Sequence, residues 1–380
     1  MVALLLLVAG VAVGAQAAVS PSPADMTRRL LVGPSTARAD TAPPLVFGIY
    51  PGGGVGTVGP AGATQPEDAT KRLEALERLR TPGRPFVLHL YASYSGLRSL
   101  SAEQQVGEEI AQYTAAGFQV ELVLTYRPAG GSRTGNVAGF VDFVRSTVRS
   151  FGANSAFVGL QVTNEANVRN APDAADGYYA GAQDALIRGV VAAKAEARSA
   201  GFAQIEVGFN WAYSLDAGEP AFWRDLGRLG GSAFRDSLDW VGLDVYPGTW
   251  GPRLSGDVPA AAAKTINEAL KSLRTRFMPL AELPSRIPLH VSENGYPTGP
   301  NRSEARQAAV MRAAIAAVDA NRSTYHVTDY RWFDLRDADS SGTSFEGRYG
   351  LMHDDYTPKT AFGVYRDIVA TFGALPPGQR

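Results

Sequence analysis

The chain contains no cysteine in 380 residues. Disulfides, thiolate metal sites and a cysteine nucleophile are therefore excluded. It also lacks any surplus of charge, with 36 basic side chains against 37 acidic ones and a formal net charge of −1. Binding a polyanion requires clustered Lys and Arg, and no basic run interleaved with aromatics occurs, so nucleic acid is not an expected partner. Histidine is scarce, at four residues. None falls in H-E-x-x-H, and G-x-S-x-G is missing too, which leaves metalloprotease and serine-hydrolase chemistry without a motif.

The N-terminal apolar run, Val2 to Val13, is shorter than the about 20 residues a membrane span needs. Behind it, Ala15-Gln16-Ala17 fits a small-x-small cleavage site. No Lys or Arg precedes the run. Two readings follow: an export signal over residues 1–17, or an uncleaved anchor. Either places the remainder outside the cytoplasm, secreted or held at the cell envelope; only the anchor would put it at a membrane. Residues 18–43 are rich in Ala, Pro, Ser and Thr and read as a flexible linker with too little apolar patterning to fold alone.

From Leu45 a rhythm sets in. Short apolar runs alternate with helix-like stretches, the pattern expected of βα units. The strand candidates are 45–50, 86–91, 119–126, 157–164, 205–211, 240–246, 289–293 and 330–335. Helices are expected over 66–80, 102–116, 136–149, 175–200, 260–277, 304–321 and 360–371, with the weakest pattern at 221–229. Ser303 before Glu304 is a capping signal, and Ala116-Gly117 and Ala200-Gly201 are stop signals. Eight such units predict a single (β/α)8 TIM barrel over residues 44–376. The rival is an open doubly wound sheet, because Gly54-Val55-Gly56-Thr57-Val58-Gly59 matches G-x-G-x-x-G after the first strand. Pro60-Ala61-Gly62 follows, however, so no helix opens on the last glycine to face a pyrophosphate. A nicotinamide site would also need an acid closing the second strand, where His89 and Tyr91 stand instead.

Two stretches carry the chemistry. Phe157–Thr163 is an apolar run ending in Asn164-Glu165, and Pro288–Ser292 ends in Glu293-Asn294-Gly295, a carboxylate followed at once by a turn signal. Barrels present catalytic groups at the C-terminal ends of their strands. Strands four and seven lie nearly opposite across the mouth, so Glu165 and Glu293 can converge on one bond. Either glutamate alone could be a solvated loop acid; the pair, both flanked by Asn, points to acid/base and nucleophilic work.

With these residues the chain resembles clan A of the glycoside hydrolases, barrel enzymes with catalytic acids on strands four and seven. The matching segments are Thr163-Asn164-Glu165, Val291-Ser292-Glu293-Asn294-Gly295, Asp244-Val245-Tyr246-Pro247, Trp332, and the tail Gly350-Leu351 with Asp354-Asp355 and Thr357-Pro358-Lys359. The resemblance implies a retaining hydrolase of a β-glycosidic bond. Glu165 would be the general acid/base and Glu293 the nucleophile. Asn164 would hydrogen-bond the sugar 2-hydroxyl, Tyr246 would hold Glu293, and Trp332 would floor the cleaved subsite. The chemistry calls for neither a metal nor an organic cofactor. The partner implied is an oligo- or polysaccharide acted on by a monomer. A barrel that binds carbohydrate without catalysis is the alternative from another class, and transglycosylation on the same dyad is a third.

Three departures from the pattern are visible. Members often carry His two residues before the strand-six tyrosine, and here Asp244 stands there, able to bind a sugar hydroxyl or to act as a third acid. No arginine sits on the second strand to face the nucleophile; Arg127, after the third, is the near candidate. Asn164 and Glu165 are adjacent, so both reach the site only if the strand end bulges. Aromatics crowd the expected mouth: Tyr50, Tyr91, Tyr94, Tyr126, Trp211, Tyr213, Trp250, Tyr296 and Trp332. Tyr50, Tyr126, Trp211, Tyr296 and Asn210 are taken as substrate contacts with the residues above. His290, three before Glu293, is expected to face the helices as a structural histidine, and His326 and His353 have no partner at metal spacing.

Overall fold

The computed structural model describes residues 43–53, 65–95, 100–128, 135–251 and 253–373. The expected export signal, the linker up to residue 42, the Gly54–Gly59 motif and the chain after 373 lie outside the described residues. Eight parallel strands close into a barrel in sequence order. They are β1 (Val46–Ile49), β2 (Phe86–Tyr94), β3 (Gln119–Tyr126), β4 (Phe157–Val162), β5 (Glu206–Ala212), β6 (Trp240–Val245), β7 (Leu289–Asn294) and β8 (Val327–Trp332). The (β/α)8 expectation holds, and the doubly wound rival does not.

The helices are α1 (Ala69–Leu79), α2 (Leu100–Ala115), α3 (Val137–Phe151), α4 (Ala182–Ala200), α5 (Glu219–Arg235), α6 (Val258–Ser272), α7 (Glu304–Tyr325) and α8 (Thr360–Phe372). Their ends follow local chemistry. The Asp68 carboxylate accepts from Thr70 and Lys71 N–H groups at the start of α1, and Ser303 accepts from Arg306 N–H at the start of α7. Each satisfies donors the first turn leaves open. Gly201 ends α4 in the left-handed conformation a glycine adopts without steric cost. The weakest helical pattern proved to be α5, whose register breaks at Gly231 with φ 57°.

Side-chain alternation divides each strand between two layers. In β5, Phe209 and Trp211 point outward onto Trp223, while Asn210 points in. In β8, Tyr330 and Trp332 point outward, toward Phe47 and Tyr365, while Asp329 and Arg331 point in. The outer layer, with Leu226, Ile266 and Ile315 fully buried among it, is the core that fixes the helices on the barrel. Each such aliphatic side chain contributes roughly 1.5–3 kcal/mol by burial. Ile266→Ala would cost about 2–5 kcal/mol.

The lower part of the barrel interior is polar. His89 Nδ1 lies 2.7 Å from Glu121 Oε1, Arg331 reaches Asp329 at 2.8 Å, and His290 Nε2 lies 3.2 Å from Asp329. Trp240 stacks on His290 at 4.5 Å. His290 therefore faces the barrel axis, contrary to expectation. The pairing of β6 with β7 advances two residues on one strand, Gly242 to Asp244, and three on the other, His290 to Glu293. That bulge lets His290, Ser292 and Glu293 all face inward. A cavity of about 400 Å³ opens at this N-terminal end. No helix among the described residues is long and apolar enough to cross a membrane.

Candidate active site

At the other end of the barrel, β4 stops at Val162, and Thr163 and Glu165 take left-handed backbone conformations, φ 64° and 48°. Such conformations cost non-glycine residues about 1–3 kcal/mol each and persist where surroundings over-determine them. Here the surroundings are Asp176 and Asn210. The Asp176 carboxylate accepts from the Asn164 and Tyr126 backbone N–H groups at 2.8 and 2.7 Å, and Asn210 Oδ1 accepts from the Glu165 N–H at 2.8 Å. This strand end, rather than a bulge, turns Asn164 inward and Glu165 into the mouth.

Glu165, Asp244 and Glu293 converge, each offering an oxygen within 4.8 Å of the others. Glu293 is buried and accepts hydrogen bonds from two tyrosine hydroxyls: Tyr246 at 2.6 Å to Oε2, and Tyr91 to Oε1. Tyr91, on β2, fills the place where an arginine was sought. Arg127 lies elsewhere, 3.9 Å from Asp176. Tyr246 holds Glu293 as expected.

Asp244 is buried, and both its oxygens are engaged, Oδ1 by Ser292 Oγ at 2.6 Å and Oδ2 by Asn210 Nδ2. Asn210 is fully buried as well and also donates to Asn164 Oδ1 at 2.8 Å. The Asn164 amide donates in turn to the Ala174 carbonyl at 3.0 Å. Asp244, Asn210 and Asn164, all taken from sequence as substrate contacts, are thus bonded to one another first.

The electrostatics separate the acids. Burial, then the neighbouring Glu293 and Asp176, raise the Glu165 carboxyl to about 8 against a partial offset from Arg127. Burial followed by Glu293 and Glu165 holds Asp244 well above the usual carboxylate range. Burial lifts Asp176 to about 7 despite its two backbone donors. The Tyr91 and Tyr246 hydroxyls are pushed up by burial and then by Glu293, so both remain donors.

Among the described residues, this trio is the one group of ionisable side chains close enough to surround a cation. The donor set suits one poorly. Both oxygens of Asp244 and both of Glu293 are already engaged in protein hydrogen bonds.

Several aromatic expectations need correction. Trp332 is 1% exposed and packs outward on Tyr365. Its neighbour Phe333, part-exposed, lies in the mouth, stacked on Tyr50 at 5.3 Å and edge-on to Tyr246. Trp211 points outward and donates to Glu219 at 2.6 Å. Tyr126 is buried against Phe140 and donates to the Ala180 carbonyl. Tyr296 is 4% exposed beneath Arg302, 5.0 Å from its ring. Tyr50 is part-exposed and meets Tyr91 edge-on at 5.4 Å. Beyond these rings, Trp250 is 56% exposed with Phe345 at 5.6 Å. The tail that carried part of the resemblance is structural: buried Lys359 donates to Asp337 at 2.6 Å and Thr298 at 3.0 Å.

Sequence reading missed Tyr91 and Ser292 as partners of the acids, Phe333 as the mouth ring, and Asp176. Inward parity with Glu121 and Arg331 neighbours would have found Tyr91, two residues from His89. Asp176 carried no signal, since it acts from a short 3-10 turn at Asp176–Tyr178.

Comparison with solved structures gives the same architecture. The fold is that of barrel glycosidases. A β-glucosidase from Exiguobacterium marinum superposes with TM-score 0.57 at 12% identity, over 87% of this chain and 99% of that one. A family 39 glycoside hydrolase from Bacteroides cellulosilyticus gives 0.55 at 15%, over 87% and 64%. A β-D-glucuronidase from Dictyoglomus thermophilum gives 0.52 at 13%, over 81% and 47%. The chain thus spans about half to two thirds of the last two. No family model matches the sequence, and no curated protein does.

Proposed function

We propose that this chain is a retaining glycoside hydrolase that cleaves a β-glycosidic bond in an oligo- or polysaccharide. One observation carries the reading. Two glutamates from opposite strands meet in one site with different surroundings, Glu293 bonded by two hydroxyls and Glu165 raised to about 8. Closest oxygens within 4.8 Å favour retention, for which carboxyl groups lie about 5–5.5 Å apart, over inversion at about 6.5–9.5 Å.

In the first step Glu165 gives its proton to the glycosidic oxygen as Glu293 attacks the anomeric carbon. The C–O bond to the leaving alcohol breaks and an ester to Glu293 forms. In the second, Glu165 takes a proton from water, whose oxygen displaces Glu293 with the second inversion. Tyr91 and Tyr246 hold Glu293 aimed until attack by their hydroxyl hydrogen bonds. Phe333 and Tyr50 give the sugar ring an apolar wall, and Trp250 offers a platform for a second sugar farther out. The structural neighbours' names, β-glucosidase and β-glucuronidase, fit a β-linked pyranoside. The N-terminal apolar run leads us to place the reaction outside the cytoplasm.

The test is a screen of aryl β-glycosides and polysaccharides with wild type, Glu165→Ala and Glu293→Ala. Both variants should lose at least about 10³-fold in kcat on alkyl glycosides. Azide should rescue Glu293→Ala with a product of inverted configuration. Wild-type activity in either variant would end the assignment.

A further inference from the structure

We infer that Asp244 is a positioning residue that works as a neutral acid, the middle link of a hydrogen-bonded chain running round the barrel mouth from the strand of Glu293 to the backbone of Glu165. This rests on the proposed glycosidase reading and adds a component to its site.

The chain is Ser292 on β7, Asp244 on β6, Asn210 on β5, then Asn164 and Glu165 beyond β4. Its hydrogen bonds have a settled direction. The Glu165 backbone N–H can only donate, so the Asn210 oxygen faces it. The Asn210 amide nitrogen must then face Asp244 Oδ2 and Asn164 Oδ1, which therefore accept. Of Asp244, only Oδ1 is left able to carry a proton, and it lies 2.6 Å from the Ser292 hydroxyl, which can accept as well as donate. The neutral form thus keeps every link of the chain, with the Ser292–Asp244 bond reversed in direction.

Charge argues the same way. Asp244 sits beside Glu293 on the adjacent strand and close to Glu165, with the hydroxyls of Tyr91 and Tyr246 beside Glu293. Among the described residues, the groups that act on it most strongly are Glu293, Glu165, Ser292 and Asn210, none of them cationic. Three carboxylates within 4.8 Å cannot all be ionised in a buried site. Glu293 accepts from two tyrosine hydroxyls, whereas Asp244 meets one hydroxyl, that of Ser292, which can turn to accept, so Asp244 can hold a proton without breaking a link. Backbone space has also been cleared for this chain. A Cβ at Gly242, one inward position below Asp244, would collide with Ser292 Oγ and sit 3.1 Å from the Asn210 Cα.

The position therefore needs the shape and hydrogen bonds of an acid, but not its charge. Asn has both, because its oxygen can accept from Asn210 and its amide can donate to Ser292 Oγ. Asp244→Asn should keep kcat within about tenfold of wild type, with the alkaline limb of the kcat/KM profile in place. Asp244→Ala removes the link, frees the Glu165 backbone, and should lower kcat about 10²-fold with a smaller change in KM. A limb that falls by one pH unit or more in Asp244→Asn, or loss of activity as in Glu293→Ala, would show a working carboxylate and overturn the inference. Wild-type kcat in Asp244→Ala would overturn it too.

Carboxyl ¹³C titration of the wild-type protein provides a readout independent of turnover. Asp244 should titrate well above the usual carboxylate range, and a midpoint within that range would refute the inference even in an active glycosidase. If no glycoside is cleaved but Asp244 still titrates late, the functional reading fails and the proton assignment stands.

Discussion

Glu165→Gln should stabilise the folded chain, and by an amount that depends on pH. Folding lifts the Glu165 carboxyl from 4.5 to about 8, chiefly by burial and then by Glu293 and Asp176. An unfolded glutamate ionises freely, so above pH 4.5 the unfolded chain releases a proton that the folded one holds. Folded stability therefore drops as pH rises from 4.5 to about 8 and levels off beyond. At about 1.4 kcal/mol per pH unit the full interval amounts to about 5 kcal/mol. Glu165 is only half-buried and shares its field with Glu293, so about 2–3 kcal/mol is the expected size. Glutamine keeps the shape of the protonated acid and titrates nowhere. The variant should match wild type at pH 4 and gain progressively up to pH 8. Thermal unfolding at both pH values reads the difference, at about 1–2 °C per kcal/mol from an unfolding entropy of about 2.1 cal/mol/K per residue. Equal midpoints for the two proteins at pH 8 would mean that Glu165 is an ordinary ionised acid in the fold, and the division of labour between the glutamates would lose its basis.

Other outcomes follow from the same geometry. Tyr91→Phe removes one of two donors to Glu293 and should lower kcat about 10-fold or more; a kcat equal to wild type would make Tyr91 a packing residue. Trp250→Ala should raise KM for oligosaccharides about 3–10-fold and leave small aryl glycosides unaffected, since the exposed ring packs on Phe345 rather than on the rings that touch Glu293; equal effects on both substrates would refute the platform. At the opposite end, Arg331 and the two histidines hold Glu121 down to about 2. Glu121→Ala should cost about 3–5 kcal/mol in urea unfolding by leaving buried Arg331 short of a partner. Its carboxylate contributes stability that is fully present above the unfolded value near 4.5 and is lost as pH falls toward 2.

The barrel was legible because eight apolar runs, each long enough for one strand, alternate with amphipathic stretches of helix length. The acids were legible because Glu165 and Glu293 each end such a run. Orientation was not, and parity explains the misses. Asn210 and Trp211 are neighbours in one strand, so they could not both face substrate; Trp211 went to the helix layer. Strand β8 begins at Val327 rather than Tyr330, because Asp329, which looks like a loop residue, belongs inside with Arg331 and His290. Once Asp329 and Arg331 face inward, Trp332 must face outward, and the mouth position passes to Phe333. In β7 parity misled in the other direction, since the extra residue before Glu293 put His290 on the axis.

These irregularities fall where the chemistry is. Two left-handed residues at the end of β4 and an added residue in β7 are the irregularities that aim Glu165 and Glu293 at each other. Regular alternation would have pointed Ser292 and Glu293 to opposite faces, and one of them would have been lost to the helix layer. With the bulge, Glu293 faces its tyrosines while Ser292 reaches Asp244, so one strand supplies both the attacking carboxylate and the anchor of the chain that holds Glu165. The local strain at Thr163 and Glu165 is held by Asp176 and Asn210, both buried and both bonded to backbone N–H groups there. Removing Asn210 should therefore misplace the acid rather than unfold the barrel. Asn210→Ala is expected to lower kcat about 10²-fold with the circular dichroism spectrum unchanged, and a variant as active as wild type would show that Asp176 alone holds the turn.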